Sequence, residues 1–256
     1  MRVSLYAPGD TWVHRLDPIT KLLMAGVGIV LTFLLPSLQG GAALLAVLLL
    51  VLGTAGVLHR AVPVYVGVAV IGVTFVVVQG LVNPANVHPL ARLGPVVLYR
   101  EGLLVGLRLA LRLYDILSAT LILVLVTNPS DLVESLVRRG ASPRFGYVMM
   151  AVLQIIPTMV ASTATITDAQ RSRGMETEGR LWVRLRAFVP LMGPLVTGSL
   201  IATEERALAL EVRGFAGNRR PTFLKEERMP GYAAAVRLLS LAVLLLGVAG
   251  RWLLGW

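Results

Sequence analysis

Long apolar blocks, separated by short clusters of proline, glycine and charge, pattern this chain from residue 19 to its end. Asp17 can cap free helix amides and Pro18 fits the first helical position, which predicts a helix through the apolar run to Leu35, ended by Pro36. Residues 40–58 form a second apolar block and 61–82 a third, joined by a short basic connection at His59-Arg60. Residues 83–100 break the pattern: Asn83-Pro84, His88-Pro89 and Gly94-Pro95 are turn signals, and the segment reads as a loop on the far side of a membrane. A fourth block covers 101–126 and another 232–256. Such blocks match a hydrocarbon core of roughly 30 Å.

Between residues 126 and 232 the pattern changes. Thr127-Asn128-Pro129-Ser130-Asp131 repeats the cap-and-proline opening and predicts a short amphipathic helix ending near Arg138-Arg139-Gly140. Residues 145–167 and 185–203 are almost uncharged, apart from Arg186, yet are broken by Pro157, Pro190 and Pro194. Long proline-kinked helices lying under or partly in the membrane are expected there, with the prolines as pivots or as static bends. One helix over residues 143–173 would reach about 46 Å at 1.5 Å per residue, more than a crossing needs. The expected fold is an all-α polytopic membrane protein with about five transmembrane helices and long kinked helices inserted between spans four and five. Its expected parts are residues 1–126, 127–229 and 230–256, with Arg237 at the inner end of the last span and Trp252 and Trp256 as outer anchors.

Composition sharpens this picture. Of 256 residues, 56% are hydrophobic and only 15% charged, and the mean hydropathy is +0.76. Because the apolar blocks extend along the whole chain and no small-residue processing site follows the first, residues 1–21 are expected to be retained. The absence of cysteine excludes disulfides, thiolate nucleophiles and cysteine-ligated metals. His14, His59 and His88 fall in three separate connecting segments, not at the spacing of a helical metal site, so neither metal nor cofactor is expected. The two lysines decide more. A phosphate-binding P-loop requires Gly-Lys-Ser/Thr, whereas Lys21 precedes Leu22 and Lys225 precedes Glu226, so the chain has no P-loop of its own.

The net charge of +10 lacks the aromatic interleaving of a nucleic-acid surface and sits beside apolar blocks, which points to membrane topology and an acidic protein partner instead. Arg2, Arg15 and Lys21 precede span one, Arg60 follows span two, and Arg138, Arg139 and Arg144 follow span four, while residues 36–39 carry no basic residue. This asymmetry predicts an inside N-terminus, with Arg92 and Arg100 in the opposite loop. Residues 127–228 hold 14 of the 24 basic and 10 of the 14 acidic residues and are expected on the cytoplasmic face. Arg108, Arg112 and Asp115 share one face of the fourth span at i, i+4 and i+7. Charge at that depth is costly, so the face is expected to point into the bundle or up to the interface. It reads either as snorkelling arginines partnered by Asp115 or as a contact with a neighbouring membrane subunit. Gly102 and Gly106 on this span allow close helix approach.

Two similar helix endings, Ser172-Arg173-Gly174 and Val212-Arg213-Gly214, recur 40 residues apart. Each closes an apolar helix with charge and a glycine able to take the left-handed conformation. Alone, such an arginine faces the negative end of the helix dipole, worth roughly 0.3–1 kcal/mol. Recurrence on a chain without an energy source of its own instead suggests two docking ends for two equivalent partners.

Together with Leu16-Asp17-Pro18-x-Thr20-Lys21 and Thr127-x-Pro129-x-Asp131-Leu132, these endings make nearly the whole chain resemble the transmembrane, or T, component of energy-coupling factor (ECF) transporters. That family is a branch of the ABC importers and includes cobalt-transport permeases. It usually writes the endings Ala-Arg-Gly or Ala-Arg-Ser; Ser172 keeps the first residue small, and Val212 departs from the pattern. The resemblance implies a non-enzymatic scaffold in the cell membrane whose coupling helices send Arg173 and Arg213 into grooves on two ATP-binding-cassette ATPase subunits. Gly174 and Gly214 would end those helices and let the backbone approach its partner. It also implies a separate substrate-binding membrane subunit, the S component, reoriented by ATPase motion to import a vitamin or metal ion. A guanidinium suits the role, with five donors in a rigid fork and a charge that persists throughout.

Two other classes are weighed against this. A membrane enzyme acting on lipid-linked substrates would need paired carboxylates such as Asp-x-x-Asp-Gly, and none occurs; Glu204, Glu205 and Glu211 read as a solvated helix end beside Arg206. A stand-alone channel or secondary transporter would show charge or unwinding at mid-membrane, often in repeated halves. Only Arg108, Arg112 and Asp115 meet that description, without a repeat.

Overall fold

The computed structural model describes residues 6–84, 87–93, 96–175, 181–215, 222–223 and 230–254. Along them follow α1 (Pro18–Leu34), α2 (Leu38–Thr54), α3 (Leu58–Val82), β1 (Pro89–Leu93), β2 (Val96–Tyr99), α4 (Arg100–Val126), α5 (Pro129–Arg138), α6 (Pro143–Ser172), α7 (Leu181–Val212) and α8 (Tyr232–Leu254). Arg2, the turn signal Gly94-Pro95, Lys225 and the anchor Trp256 lie outside the described residues. The protein is helical and polytopic. Of its helices, α3, α4, α6 and α8 are long and apolar enough to cross a membrane. α1 and α2 have 17 residues each, about 26 Å of helix against a core of roughly 30 Å. α6, expected beneath or partly in the membrane, has the length and hydropathy of a span.

Local chemistry starts these helices. Asp17 Oδ2 accepts from the Thr20 amide at 3.2 Å, with Pro18 opening α1. Ser37 Oγ accepts from the Gly40 amide at 3.1 Å at the head of α2, and Asn128 Oδ1 accepts from the Ser130 amide at 3.1 Å ahead of α5. Each satisfies a first-turn amide that the helix itself leaves unpaired.

Two expectations are corrected. α2 stops at Thr54, Gly56 turns the chain at φ 71°, and α3 starts at Leu58, so His59-Arg60 belong to a helical turn rather than a connection. The turn Gly53-Thr54-Ala55-Gly56 carries neither charge nor proline, which hid it from the hydropathy pattern. Residues 83–100 are also more than a loop: β1 and β2 pair antiparallel, with Arg92 opposite Val97 and Leu93 opposite Val96. The run Val96-Val97-Leu98-Tyr99, rich in β-branched and aromatic residues, favours this pairing. The Glu101 carboxylate secures the return, accepting from His88 Nδ1 at 2.6 Å and from the His88 amide at 3.2 Å.

The chain divides into two compact units, Met1–Leu136 with Glu227–Trp256, and Val137–Glu226. In the first, α4 is the hub, packed by α1, α2 and α3. Its apolar window is 44% buried, against 11% for α3 and 6% for α8. Leu48, Leu52, Ala61, Ala119, Ile122 and Val126 belong to the core around it. α3 comes closest at Gly106, where an added Cβ would lie 2.6 Å from Val76 Cα and 2.7 Å from the Phe75 carbonyl oxygen. Only a glycine admits backbone approach of this kind.

A polar junction closes the same unit. The Asp17 side chain is wholly buried and lies 2.7 Å from Arg237 Nη2 of α8, and it also accepts from the Thr20 hydroxyl. Burial by itself raises its pKa, but the hydrogen bonds from Arg237 and Thr20 and the Arg237 charge outweigh that and hold the carboxyl below its usual range. Lys21, 4% exposed, donates from Nζ to the His14 carbonyl at 2.8 Å and to the Val126 carbonyl at 3.1 Å.

In the second unit α6 and α7 continue unbroken as helices through Pro157, Pro190 and Pro194. Tyr147, in α6, packs against Phe215, just beyond α7, with ring centroids 5.4 Å apart. The start of α6 and the end of α7 therefore lie together.

Candidate functional site

Both arginine endings are built by the same hydrogen bonds. At the end of α6 the Gly174 amide donates to the Arg171 carbonyl at 2.9 Å and the Met175 amide to the Gln170 carbonyl at 3.1 Å. At the end of α7 the Gly214 amide donates to the Glu211 carbonyl at 2.9 Å and the Phe215 amide to the Leu210 carbonyl at 3.0 Å. Gly174 sits at φ 85° and Gly214 at φ 71°. This is the Schellman arrangement, in which a left-handed glycine folds the chain back onto the last carbonyls. Arg173 and Arg213 occupy the cap position immediately before that glycine, and both side chains are exposed. Among the described residues neither guanidinium meets a hydrogen-bond or ion-pair partner. Ser172 turns its hydroxyl back to the Asp168 carbonyl at 3.1 Å, while Val212 is 89% exposed.

The two caps are far apart. Because Tyr147 meets Phe215, the Arg213 cap lies near the start of α6, whereas Arg173 closes its far end. The helix from residue 147 to 173 spans about 39 Å at 1.5 Å per residue. Between the caps α6 and α7 border an open groove of about 560 Å³, lined by residues that include Thr158, Ser162, Thr165, Gly198, Ser199 and Thr203. Its hydroxyls are largely spent on their own helices: Thr158 donates to Ile155 at 2.7 Å, Ser199 to Val196 at 2.8 Å and Thr203 to Ser199 at 2.7 Å. The groove is therefore small-sided and mainly apolar, and Val152, Ile156, Val160, Val196, Leu200 and Ile201 of the same helices are exposed. Apolar faces so uncovered call for lipid or protein around them.

Arg108, Arg112 and Asp115 meet different surroundings along α4. Arg108 is exposed, the Arg112 guanidinium sits 4.9 Å over the Phe33 ring of α1, and Asp115 is 1% exposed. A Cβ on Gly41 of α2 would come within 3.8 Å of Asp115 Oδ2, and among the described residues Asp115 Oδ1 has no hydrogen-bond partner. The expected pairing of these arginines with Asp115 is thus not made, because α1 draws one group and α2 covers the other.

The junction of Asp17, Thr20, Lys21 and Arg237 was missed as a unit. Asp17 read as a cap, Lys21 as an inside charge and Arg237 as an inner anchor. The available signal was local: an aspartate, a threonine and a lysine within one turn of a helix start.

The family model described as cobalt transport protein, CbiQ, matches residues 9–223, which include both arginine caps. The chain belongs to this family. Several relatives carry the name energy-coupling factor transporter transmembrane protein EcfT. The one from Bacillus selenitireducens is 32% identical over 86% of this chain and 85% of its own length. That from Heliobacterium modesticaldum is 31% identical over 94% of both chains, and that from Clostridium kluyveri 28% over 97% and 96%. The protein is accordingly a multi-pass membrane component of the ECF transporter type.

The caps make a local prediction for this family member. Gly174→Ala or Gly214→Ala would force an L side chain to positive φ at a cost of about 1 kcal/mol. Amide hydrogen exchange is expected to accelerate in the last turn of the altered helix and to stay unchanged at the other cap.

Proposed function

We propose that the chain is the energy-coupling scaffold of an ECF importer for a vitamin or metal ion. The observation that carries this reading is the pair of matching caps, each offering an exposed arginine without a partner among the described residues, about 39 Å apart along α6. Two equivalent cationic ends at such a distance suit two ATPase subunits better than one. Each guanidinium would bond carboxylates or helix-end carbonyls in a groove of its ATPase, and closure of the ATPase pair on ATP would move both ends. α6 and α7 carry that motion, with Pro157, Pro190 and Pro194 as its candidate pivots, since each removes one rung from the helical ladder. The apolar groove and exposed faces of these helices would bear on the S component, which holds the substrate. The basic residues before α1 and after α4 support a cytoplasmic N-terminus and coupling region.

Purification in mild detergent tests the assembly. Two stoichiometric ATPase copies or homologues and one further small membrane protein are expected in the preparation, identified by mass spectrometry. Emergence of the chain alone, with conductance or transport activity of its own, would favour a channel or secondary transporter and sink the scaffold reading.

A further inference from the structure

The chain passes from one compact unit to the other after Leu136 and returns at Glu227. α4 leads through α5, within which the division falls, to that passage, and the helix after the return is α8. One N-terminal stretch holds both. On the outgoing side the Ala7 amide donates to the Leu125 carbonyl at 2.8 Å, and Lys21 Nζ donates to the Val126 carbonyl at 3.1 Å. On the returning side Tyr232 donates its hydroxyl to the Trp12 carbonyl at 2.9 Å, and Arg237 bonds Asp17 at 2.7 Å and the Thr20 hydroxyl. Lys21 also grips the stretch itself, at the His14 carbonyl, while His14 is fixed by Thr11 at 2.7 Å and by the Ala7 carbonyl at 3.0 Å.

We propose that residues 7–21 form a static clasp on the outgoing and returning chain, which makes Lys21 and Arg237 positioning residues for energy coupling. This rests on the scaffold function proposed above. A buried ammonium is an expensive way to fill space, and an apolar side chain would pack α1 against α4 at lower cost. What an ammonium adds is a bridge between two carbonyls on different segments, one of them the final helical residue of α4. Arg237 adds the matching bridge from α8 to the helix cap of α1. Force applied at Arg173 and Arg213 can do work on the helices between them only if the chain entering and leaving that unit does not slip. The clasp supplies that fixed frame.

The test uses the complete complex in proteoliposomes. ATP hydrolysis is measured beside accumulation of labelled cobalt(II) and labelled water-soluble vitamins, using whichever probe the wild-type complex accumulates. Lys21→Met is expected to leave assembly and ATP hydrolysis within about twofold of wild type and to lower uptake per ATP at least tenfold, while Lys21→Arg restores most of it. Arg237→Met is expected to behave like Lys21→Met. Unchanged uptake per ATP in both methionine variants overturns the clasp. A wild-type complex that accumulates no probe overturns the transport reading and the clasp with it. The chain has no cysteine of its own, so Ala7→Cys with Leu125→Cys gives a defined cross-link across the clasp. Transport that survives this cross-link supports a static clasp, and transport blocked by it overturns one. Should Lys21→Met fail to assemble, the cross-link is introduced into that background. Recovery of assembly and uptake supports the proposal; recovery of assembly alone, or of neither, overturns it.

Discussion

Reversing both cap charges, Arg173→Glu with Arg213→Glu, is expected to abolish ATP-dependent uptake and to strip the ATPase subunits from the purified complex. A hydrogen bond to a charged group contributes about 1.5–3 kcal/mol net, so losing several at two ends, with repulsion added, removes on the order of a thousandfold or more in affinity. The chain itself should fold normally. Both side chains are exposed and without partners among the described residues, so the thermal midpoint of the isolated variant should match wild type. Single reversals separate the two ends: if each arginine serves its own ATPase, either single variant loses most uptake yet retains one ATPase contact. Arg173→Lys with Arg213→Lys keeps the charges and loses the fork, and should fall between. Normal assembly and uptake in the double glutamate variant would remove the basis for assigning the caps to coupling.

Gly106→Val is expected to be the most damaging single change in the membrane unit. The new side chain would begin 2.6 Å from the Val76 Cα and 2.7 Å from the Phe75 carbonyl oxygen, and both are backbone atoms that cannot rotate away. Overpacking of an ordinary core costs about 1–3 kcal/mol, and separating α3 from the hub helix should exceed it. The readouts are yield of monodisperse protein in detergent and the unfolding midpoint followed by tryptophan fluorescence. Gly26→Ala is the control, since nothing lies within 4 Å of a Cβ at that position. Equal stability of the Gly106→Val and Gly26→Ala proteins would mean that the α3–α4 approach is not close packing.

How far these features could be read from the chain depends on how local their causes are. The helix starts at Asp17-Pro18 and Asn128-Pro129 and the stops at Gly174 and Gly214 were legible, because caps and left-handed glycines act within one turn. The hairpin at residues 89–99 was not legible, since its turn signals outweighed a short β-favouring run. Spacing correctly put Arg108, Arg112 and Asp115 on one face of α4. It could not show that Phe33 of α1 takes Arg112 while α2 covers Asp115.

Membrane residence, the cap-and-proline starts of α1 and α5, the glycine stops of α6 and α7, the lack of a P-loop and the recurrence of two arginine-glycine endings are all carried by the pattern of the chain. These follow from hydropathy, capping and motif spacing, all short-range properties. Tertiary packing alone brings the cap of α7 to the start of α6, opposite the cap that closes α6. It also joined Asp17 and Thr20 to Arg237, and Lys21 to the end of α4. Those partners are separated by more than a hundred residues of chain, and a long-range pair leaves no periodicity for the sequence to display.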